Sequence, residues 1–372
     1  MAQATSTYSD KEPRGLAALL AATLGRAFVS LIVPVVAFVV LYLGFIFLRD
    51  ADAPKVVVVL VAIVWGVAGT AMLYFVANWT VERLPDTWKH RVLPFVFVGP
   101  AMAILTFYLL IPTVLTFINS FKDATSAEWV GLDNYLFAFT NADMLTAIRN
   151  NIVWLILGTT LSTGLGLAVA VLADRSRLDR LAKTLIFLPM AISFVGAGII
   201  WRFVFSYQPE VAPQIGLLNA ILGNFGIAPV SWLTGEPLNT LLLIVILVWG
   251  QTGYAMVILG AALKGVSDDL LEAGRIDGAS EWQIFRRIIV PVIWPTIITV
   301  ATTIAILTLK IFDVVYAMTA GNFGTDVIAT LQFKQMFVFF DYGRGSALAI
   351  VLLIAVSPVI WYNLRQFRSR SM

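Results

Sequence analysis

Residues 263–291 read LKGVSDDLLEAGRIDGASEWQIFRRIIVP and separate two long apolar runs. Ser267 can cap a helix whose first turn carries two aspartates, where negative side chains interact favourably with the helix dipole. Apolar residues then recur at helical spacing to about Asp277. Gly278 permits the chain to turn, and a second helical piece follows before Pro291 opens the next apolar run. The stretch predicts a helix–turn–helix outside the apolar runs.

The composition predicts a membrane protein. Of the 372 residues 59% are hydrophobic and 13% charged, whereas a soluble domain carries about 25% charged residues. Eight apolar runs reach the roughly 20 residues that a helix needs to cross the hydrocarbon core. The runs are 28–48, 56–77, 93–118, 152–173, 184–205, 238–263, 288–309 and 346–364. We therefore expect an all-α polytopic membrane protein with about eight transmembrane helices.

Several function classes are excluded by what the chain lacks. It has no cysteine and one histidine, His90, which excludes disulfides, iron–sulfur clusters and multi-histidine metal sites. A net charge of +3 argues against a nucleic-acid surface. No Gly-rich phosphate loop is present, so we expect the chain itself to bind no ATP. With no plausible nucleophile and base set either, we expect no enzymatic activity and no cofactor in this chain.

The distribution of basic residues predicts the orientation. With the N-terminus inside, the inner segments hold 17 Lys and Arg residues, and the outer segments hold six. This bias places both termini in the cytoplasm, so we expect cytoplasmic ends at 1–27 and 365–372. The first apolar run has no cleavage site and should stay as an anchor. The longer outer segments 119–151, 206–237 and 310–345 should form short irregular or interfacial helices.

The opening stretch resembles the EAA loop of ABC-importer permease subunits. That pattern is Glu-Ala-Ala, three residues, Gly, nine residues and Ile-x-Leu-Pro, and both spacings match here. Gly274 in place of Ala and Val290 in place of Leu are the departures. The resemblance implies that residues 264–291 form a coupling loop docked on a separate ATPase subunit. Its implied coupling residues are Glu272, Ala273, Gly274, Asp277, Gly278, Ala279 and Pro291. The alternative is an interfacial loop whose charged residues are merely solvated.

Three further stretches, 131–135, 312–313 and 319–322, resemble the carbohydrate-importer branch of this family, similar to the larger maltose-permease subunit. The resemblance implies a six-helix type I permease core over 93–364, preceded by two additional helices at 28–77. It also implies that the protein is located in the bacterial inner membrane and works with the partners of such an importer. These are a second homologous permease, two ATPase subunits that bind ATP and Mg, an extracytoplasmic solute-binding protein and a sugar substrate.

Polar residues at membrane depth are candidates for a solute pathway. Gln251 and Tyr254 lie about one helical turn apart, and the resemblance places both near the solute together with Thr308 and Asp313. The alternatives are helix packing for Tyr254 and back-bonding within the helix for Thr308. Lys310 and Asp313, three residues apart on one helical face, should either form a structural pair or bracket the outer mouth.

These observations predict a permease subunit of an ATP-driven importer for a carbohydrate, of oligosaccharide or α-glucoside type. An importer for an amino acid, phosphate or peptide would share the coupling loop. A stand-alone secondary transporter, using Lys310 and Asp313 as an ion relay, and a non-transporting membrane scaffold or sensor are the remaining alternatives.

Overall fold

The computed structural model describes residues 16–50, 52–174, 179–209 and 213–368, and this part of the chain is helical. In chain order the helices are α1 (Leu16–Asp50), α2 (Lys55–Glu82), α3 (Asp86–Asn119), α4 (Asp133–Thr140), α5 (Ala142–Ala173), α6 (Asp179–Phe187), α7 (Phe194–Val204), α8 (Leu217–Asn224), α9 (Leu238–Lys264), α10 (Asp268–Ile276), α11 (Glu281–Leu309), α12 (Asp313–Thr319), α13 (Ile328–Phe333) and α14 (Tyr342–Arg368).

Seven of these helices are long and apolar enough to cross a membrane, namely α1, α2, α3, α5, α9, α11 and α14. They confirm seven of the eight predicted runs and the all-α class. Helix α1 begins at Leu16, earlier than the predicted start at residue 28. The Ala- and Leu-rich residues 16–25 account for this extension, since both residue types favour helix. Residues 1–15 and 369–372 of the predicted cytoplasmic ends lie outside the described residues.

The predicted fifth span is wrong as a continuous helix. Its residues form two short helices, Arg180–Ala191 and Phe194–Val204, bent by 105°. Pro189 lies in the 3₁₀ turn Leu188–Ala191 that ends the first of them, since proline cannot donate a backbone hydrogen bond and disfavours an α-helix interior. Ser193 then caps α7, its hydroxyl accepting from the Gly196 N–H at 3.1 Å. Arg202, in the last turn of α7, is exposed.

The chain forms two compact units, residues 1–112 and 113–372. In the first unit, α1 packs along α2, and α2 along the beginning of α3. Helices α1 and α2 approach closely at Gly44, where an added Cβ would meet the indole of Trp65. In the most apolar 18-residue stretch of each of these helices at most 6% of the residues are buried. Their remaining surface is apolar, as expected for helices that face lipid.

In the second unit α9 is the central helix, and 61% of the residues in its most apolar 18-residue stretch are buried. It packs closely against α5, where Gly158 lies beneath Leu247 and Gly166 against Ala255. With the buried Ser162 between them, these are small residues at four-residue spacing, which lets two membrane helices approach closely. The short helices α4, α8, α12 and α13 lie in the three longer segments predicted to be outer, and they confirm that these segments form short helices.

Candidate functional site

The predicted helix–turn–helix is present, with α10 as its first helix. Ser267 occupies the N-cap position, although its hydroxyl makes no capping hydrogen bond. The helix ends at Ile276, and Gly278 just beyond it has a φ of +78°, a left-handed conformation that favours glycine. The Ala279 N–H donates to the Gly274 carbonyl at 3.0 Å, and the Gly278 N–H donates to the Arg275 carbonyl at 3.0 Å. These two bonds form a Schellman cap, so the turn predicted at Gly278 is confirmed.

Gly274 determines how closely α10 packs against the first turns of α11. It is buried, and a Cβ added there would lie 2.8 Å from Ile288 Cδ1 and 3.4 Å from Ile284 Cγ1. A contact of 2.8 Å requires the neighbouring side chain to move. The departure from the Glu-Ala-Ala pattern therefore coincides with a close approach of α10 to α11.

Helix α11 begins with a capping box. The Ser280 hydroxyl accepts from the Gln283 N–H, and the Gln283 side chain accepts from the Ser280 N–H at 2.8 Å. Arg275 Nε donates to Glu281 Oε1 at 3.0 Å and links the two helices. A π-helical turn at Phe285–Ile289 precedes Pro291, which is exposed. The coupling loop is thus a defined structure that continues into the membrane span of α11.

The outward face of this structure mixes acidic and apolar side chains. Glu272, Ala273 and Asp277 are exposed, while Ile276 is 80% and Trp282 66% exposed. Exposed apolar groups gathered on a projecting structure are typical of a protein–protein contact. Gly278 and Pro291 are exposed as well, so the predicted coupling residues other than the buried Gly274 are accessible to a partner subunit.

The predicted pathway residues of α9 lie in packed surroundings. Gln251 is 7% exposed and shares a helix face with Leu247 and Ala255, which contact α5. Tyr254 is half-buried and packs on the cluster that contains Met256. Their place in a solute pathway therefore stays a prediction.

The structure separates the predicted residues at the end of α11. Thr308 is buried, and its hydroxyl donates to the Ile304 carbonyl at 2.8 Å, as the back-bonding alternative expected. The helix ends at Leu309, and Asp313 begins a separate helix, α12. The prediction that Lys310 and Asp313 share a helical face is therefore wrong. In the described part of the chain no ion pair joins these two exposed side chains.

Three buried asparagines form a clamp that the sequence analysis missed. The Asn150 amide donates to the carbonyls of Gly324 at 2.7 Å and Asp326 at 2.8 Å. The Ile328 N–H donates to Asn151 Oδ1 at 2.8 Å, and the Asn239 amide donates to the Phe323 carbonyl at 2.7 Å.

This asparagine clamp (Asn150, Asn151 and Asn239) holds the loop of residues 320–327 against α5 and α9. The available sequence signal was the pair Asn150-Asn151 directly before an apolar run. Amides at such a boundary need buried partners.

A half-buried ion pair lies beside the clamp. The Lys334 ammonium donates to both carboxylate oxygens of Asp326, at 2.8 and 3.0 Å, and the Thr330 hydroxyl donates to the same carboxylate at 2.8 Å. Burial raises the pKa of the Asp326 carboxyl above its ordinary value, while Lys334 and Thr330 act in the opposite direction and lower that pKa. The carboxylate is thus fixed in place by two donors.

Comparison with known proteins identifies the family. Residues 162–370 match the family described as "Binding-protein-dependent transport system inner membrane component". The chain belongs to this family. It is a permease subunit of an ABC importer, and the matched range includes the coupling loop, α9 and α11. The resemblance seen in residues 263–291 is therefore confirmed at the level of the family.

Two relatives of this permease are similar over most of their length. The "Osmoprotective compounds uptake permease protein GgtC" of Synechocystis sp. is 52% identical over 274 residues, which cover 74% of this chain and 98% of the relative. The "Alpha-glucoside transport system permease protein AglF" of Rhizobium meliloti is 47% identical over 277 residues, covering 74% of this chain and 82% of the relative.

The permease fold also matches a solved structure. A chain of the bacterial alginate ABC transporter, solved in complex with alginate pentasaccharide-bound periplasmic protein, has a TM-score of 0.65 at 21% identity. The match covers 75% of this chain and 95% of the solved one. At this identity the comparison supports the fold of the permease.

Proposed function

We propose that this permease forms one half of the pathway of an ATP-driven importer for a carbohydrate, of oligosaccharide or α-glucoside type. The main support is the 47% identity to an α-glucoside permease over three quarters of this chain. The other half would be a second homologous permease, and two ATPase subunits would bind ATP and Mg. A solute-binding protein would dock on the outer segments, and both termini would lie in the cytoplasm of a bacterium.

The coupling loop would carry motion between the ATPase and the spans. Its exposed Ile276 and Glu272 would enter a cleft of the ATPase, and the capped turn at Gly278 would keep α10 in a fixed orientation. Helix α10 packs against the first turns of α11, and α11 continues into the membrane span. A displacement of α10 would therefore move that span directly. Gln251, Tyr254, Thr308 and Asp313 would lie along or near the solute pathway.

Glu272→Ala tests the coupling. Since Glu272 is exposed and has no ion-pair partner within the described chain, the variant should insert normally. It should weaken ATPase co-purification or solute-stimulated ATP hydrolysis by about threefold to tenfold, the effect of losing one charged contact. Glu82→Ala on α2, outside the coupling loop, is the matched control. Unchanged coupling in Glu272→Ala would contradict a role for this carboxylate.

Gln251→Ala and Tyr254→Ala test the pathway. We expect each to reduce uptake of radiolabelled α-glucoside into proteoliposomes by about tenfold, while the subunits still assemble. Assembly is checked by co-purification of the second permease and the ATPase. Normal uptake in both variants would show that these side chains serve helix packing and do not contribute to the pathway.

The other candidate solute is an osmoprotective compound, which the 52% identity to a permease named for such compounds favours. A gentle-detergent pull-down followed by ATPase assays with sucrose, trehalose and glycine betaine separates the two. Stimulation of ATP hydrolysis by a saccharide supports the proposal. Stimulation by glycine betaine alone would show that the solute is not a carbohydrate.

A further inference from the structure

A polar pocket of about 310 Å³ lies among residues that the proposed pathway does not use. The start of α5 forms one wall, and the segment from Gly321 to Phe339 forms the other. Both belong to outer segments of the sequence, 119–151 and 310–345. The side chains on which the argument depends are Asp143, Asn322, Asp326, Lys334, Gln335 and Phe339. We call this cavity the outer pocket.

Gln335 is the side chain that points to a ligand. It lines the outer pocket and is 9% exposed, yet within the described part of the chain its amide forms no hydrogen bond. Gln332, on the preceding turn, differs, since its amide donates to Met336 Sδ at 3.7 Å. The amide therefore keeps its donors and its acceptor available to a molecule in the pocket. A bound molecule that supplies donors and acceptors would satisfy Gln335.

The charged groups of the outer pocket are held in place before any ligand arrives. The side chains of Asp326 and Lys334 are 16% and 21% exposed, and their ion pair is 2.8 Å long. Gly321 makes room for them, because a Cβ at that position would overlap the Asp326 carboxylate. The asparagine clamp holds the same loop from behind through the Asp326 carbonyl. Such groups lose little conformational entropy on binding.

The lining matches one class of ligand. Two carboxylates, from Asp143 and Asp326, outnumber the one ammonium of Lys334, so the charge disfavours an anion. Amides and carboxylates suit hydroxyl groups, which both donate and accept, and the Phe339 ring suits the C–H face of a sugar. The volume is at the lower end of the roughly 300–1,000 Å³ in which proteins bind small molecules. That is space for one sugar ring.

We propose that the outer pocket is a binding site for one neutral saccharide ring of the solute, separate from the pathway residues of α9 and α11. This inference rests on the proposed function in taking the solute to be a carbohydrate. The ring would be held outside the spans by Gln335, Asn322 and the paired Asp326, with Phe339 against its apolar face.

The test uses photolabelling of the assembled transporter in nanodiscs, without the binding protein. The probe is methyl α-D-glucopyranoside carrying a diazirine, and labelled peptides are mapped by mass spectrometry. We expect label in residues 321–339 that unlabelled methyl α-D-glucopyranoside displaces. Gln335→Met, which removes an amide with no internal partner and keeps the side-chain length, should reduce this label about tenfold. Gln332→Met is the matched control and should leave the label unchanged.

The outcomes separate this site from the proposed function. Absence of label in 321–339, or equal label in Gln335→Met, overturns the site. If Gln335→Met instead weakens binding-protein affinity with no sugar label, the pocket takes a protein side chain and the saccharide site is wrong. Uptake is measured in the same preparation. A wild type that imports an α-glucoside without labelling this segment overturns only the outer site, whereas one that imports no saccharide overturns the proposed function.

Discussion

Gly274→Val is expected to uncouple the permease from its ATPase, with at least a tenfold loss of ATPase co-purification. A Cβ at this position already comes within 2.8 Å of Ile288 Cδ1, and valine adds two methyl groups on the crowded side. Overpacking of this kind costs about 1–3 kcal/mol, which α10 can relieve by moving away from α11. The displaced helix would no longer present Ile276 and Glu272 in the native orientation. The measurement is pull-down of the ATPase with the variant purified from membranes.

Gly274→Ala is the matched control for that experiment. The atom that its Cβ meets is the far end of a flexible isoleucine side chain, so Ile288 can move aside at small cost. Alanine is also the residue found at this place in the Glu-Ala-Ala pattern. We expect co-purification within about twofold of the wild type. If Gly274→Val couples as well as Gly274→Ala, the close approach of α10 and α11 is not required for coupling.

Asn150→Ala is expected to produce the largest loss of stability among single polar substitutions. The change leaves the carbonyls of Gly324 and Asp326 without their side-chain donor, at about 1–3 kcal/mol for each buried acceptor. A total of at least ~2 kcal/mol lowers the melting temperature by roughly 4–8 °C for a domain of 150–250 residues. Thermal unfolding of the detergent-solubilised protein measures the shift.

Asn224→Ala serves as the control, because this asparagine is exposed at the end of α8. We expect its melting temperature to stay within about 1 °C of the wild type, as for most surface substitutions. Proteolysis adds a second readout, since the loop of residues 320–327 should become sensitive to protease in Asn150→Ala. Equal melting temperatures in the two variants would show that the clamp does not stabilise the fold.

The features that sequence reasoning predicted are those encoded locally. Run length alone identifies the spans, because a membrane helix must satisfy its own backbone over about 20 residues. The coupling loop is also local, with its cap, turn glycine and helical spacing all inside residues 267–291. The break at Pro189 was missed because an uncharged run predicts length and apolarity, and a bent pair of helices has the same composition.

The features that were missed depend on partners far along the chain. Asn150 bonds to a carbonyl 174 residues away, and no local pattern indicates that distance. The separation of Lys310 from Asp313 arises because α11 stops at Leu309 and a new helix begins at Asp313, although the residue types permit one helix. Gln335 belongs to the same class, since its lack of a partner becomes visible only when the outer pocket is formed.

The contact at Gly274 has a practical consequence for domain exchange between permeases. Consider a graft of α10 alone into a permease that has alanine at this position. The recipient's counterpart of α11 packs against the alanine Cβ, so the grafted glycine would leave a gap between the two helices. The transplantable unit is therefore the whole stretch from Ser267 to Pro291, which brings the glycine, its isoleucines and the Arg275–Glu281 bridge together. Chimeras cut within that stretch should assemble poorly even when every residue of α10 is native.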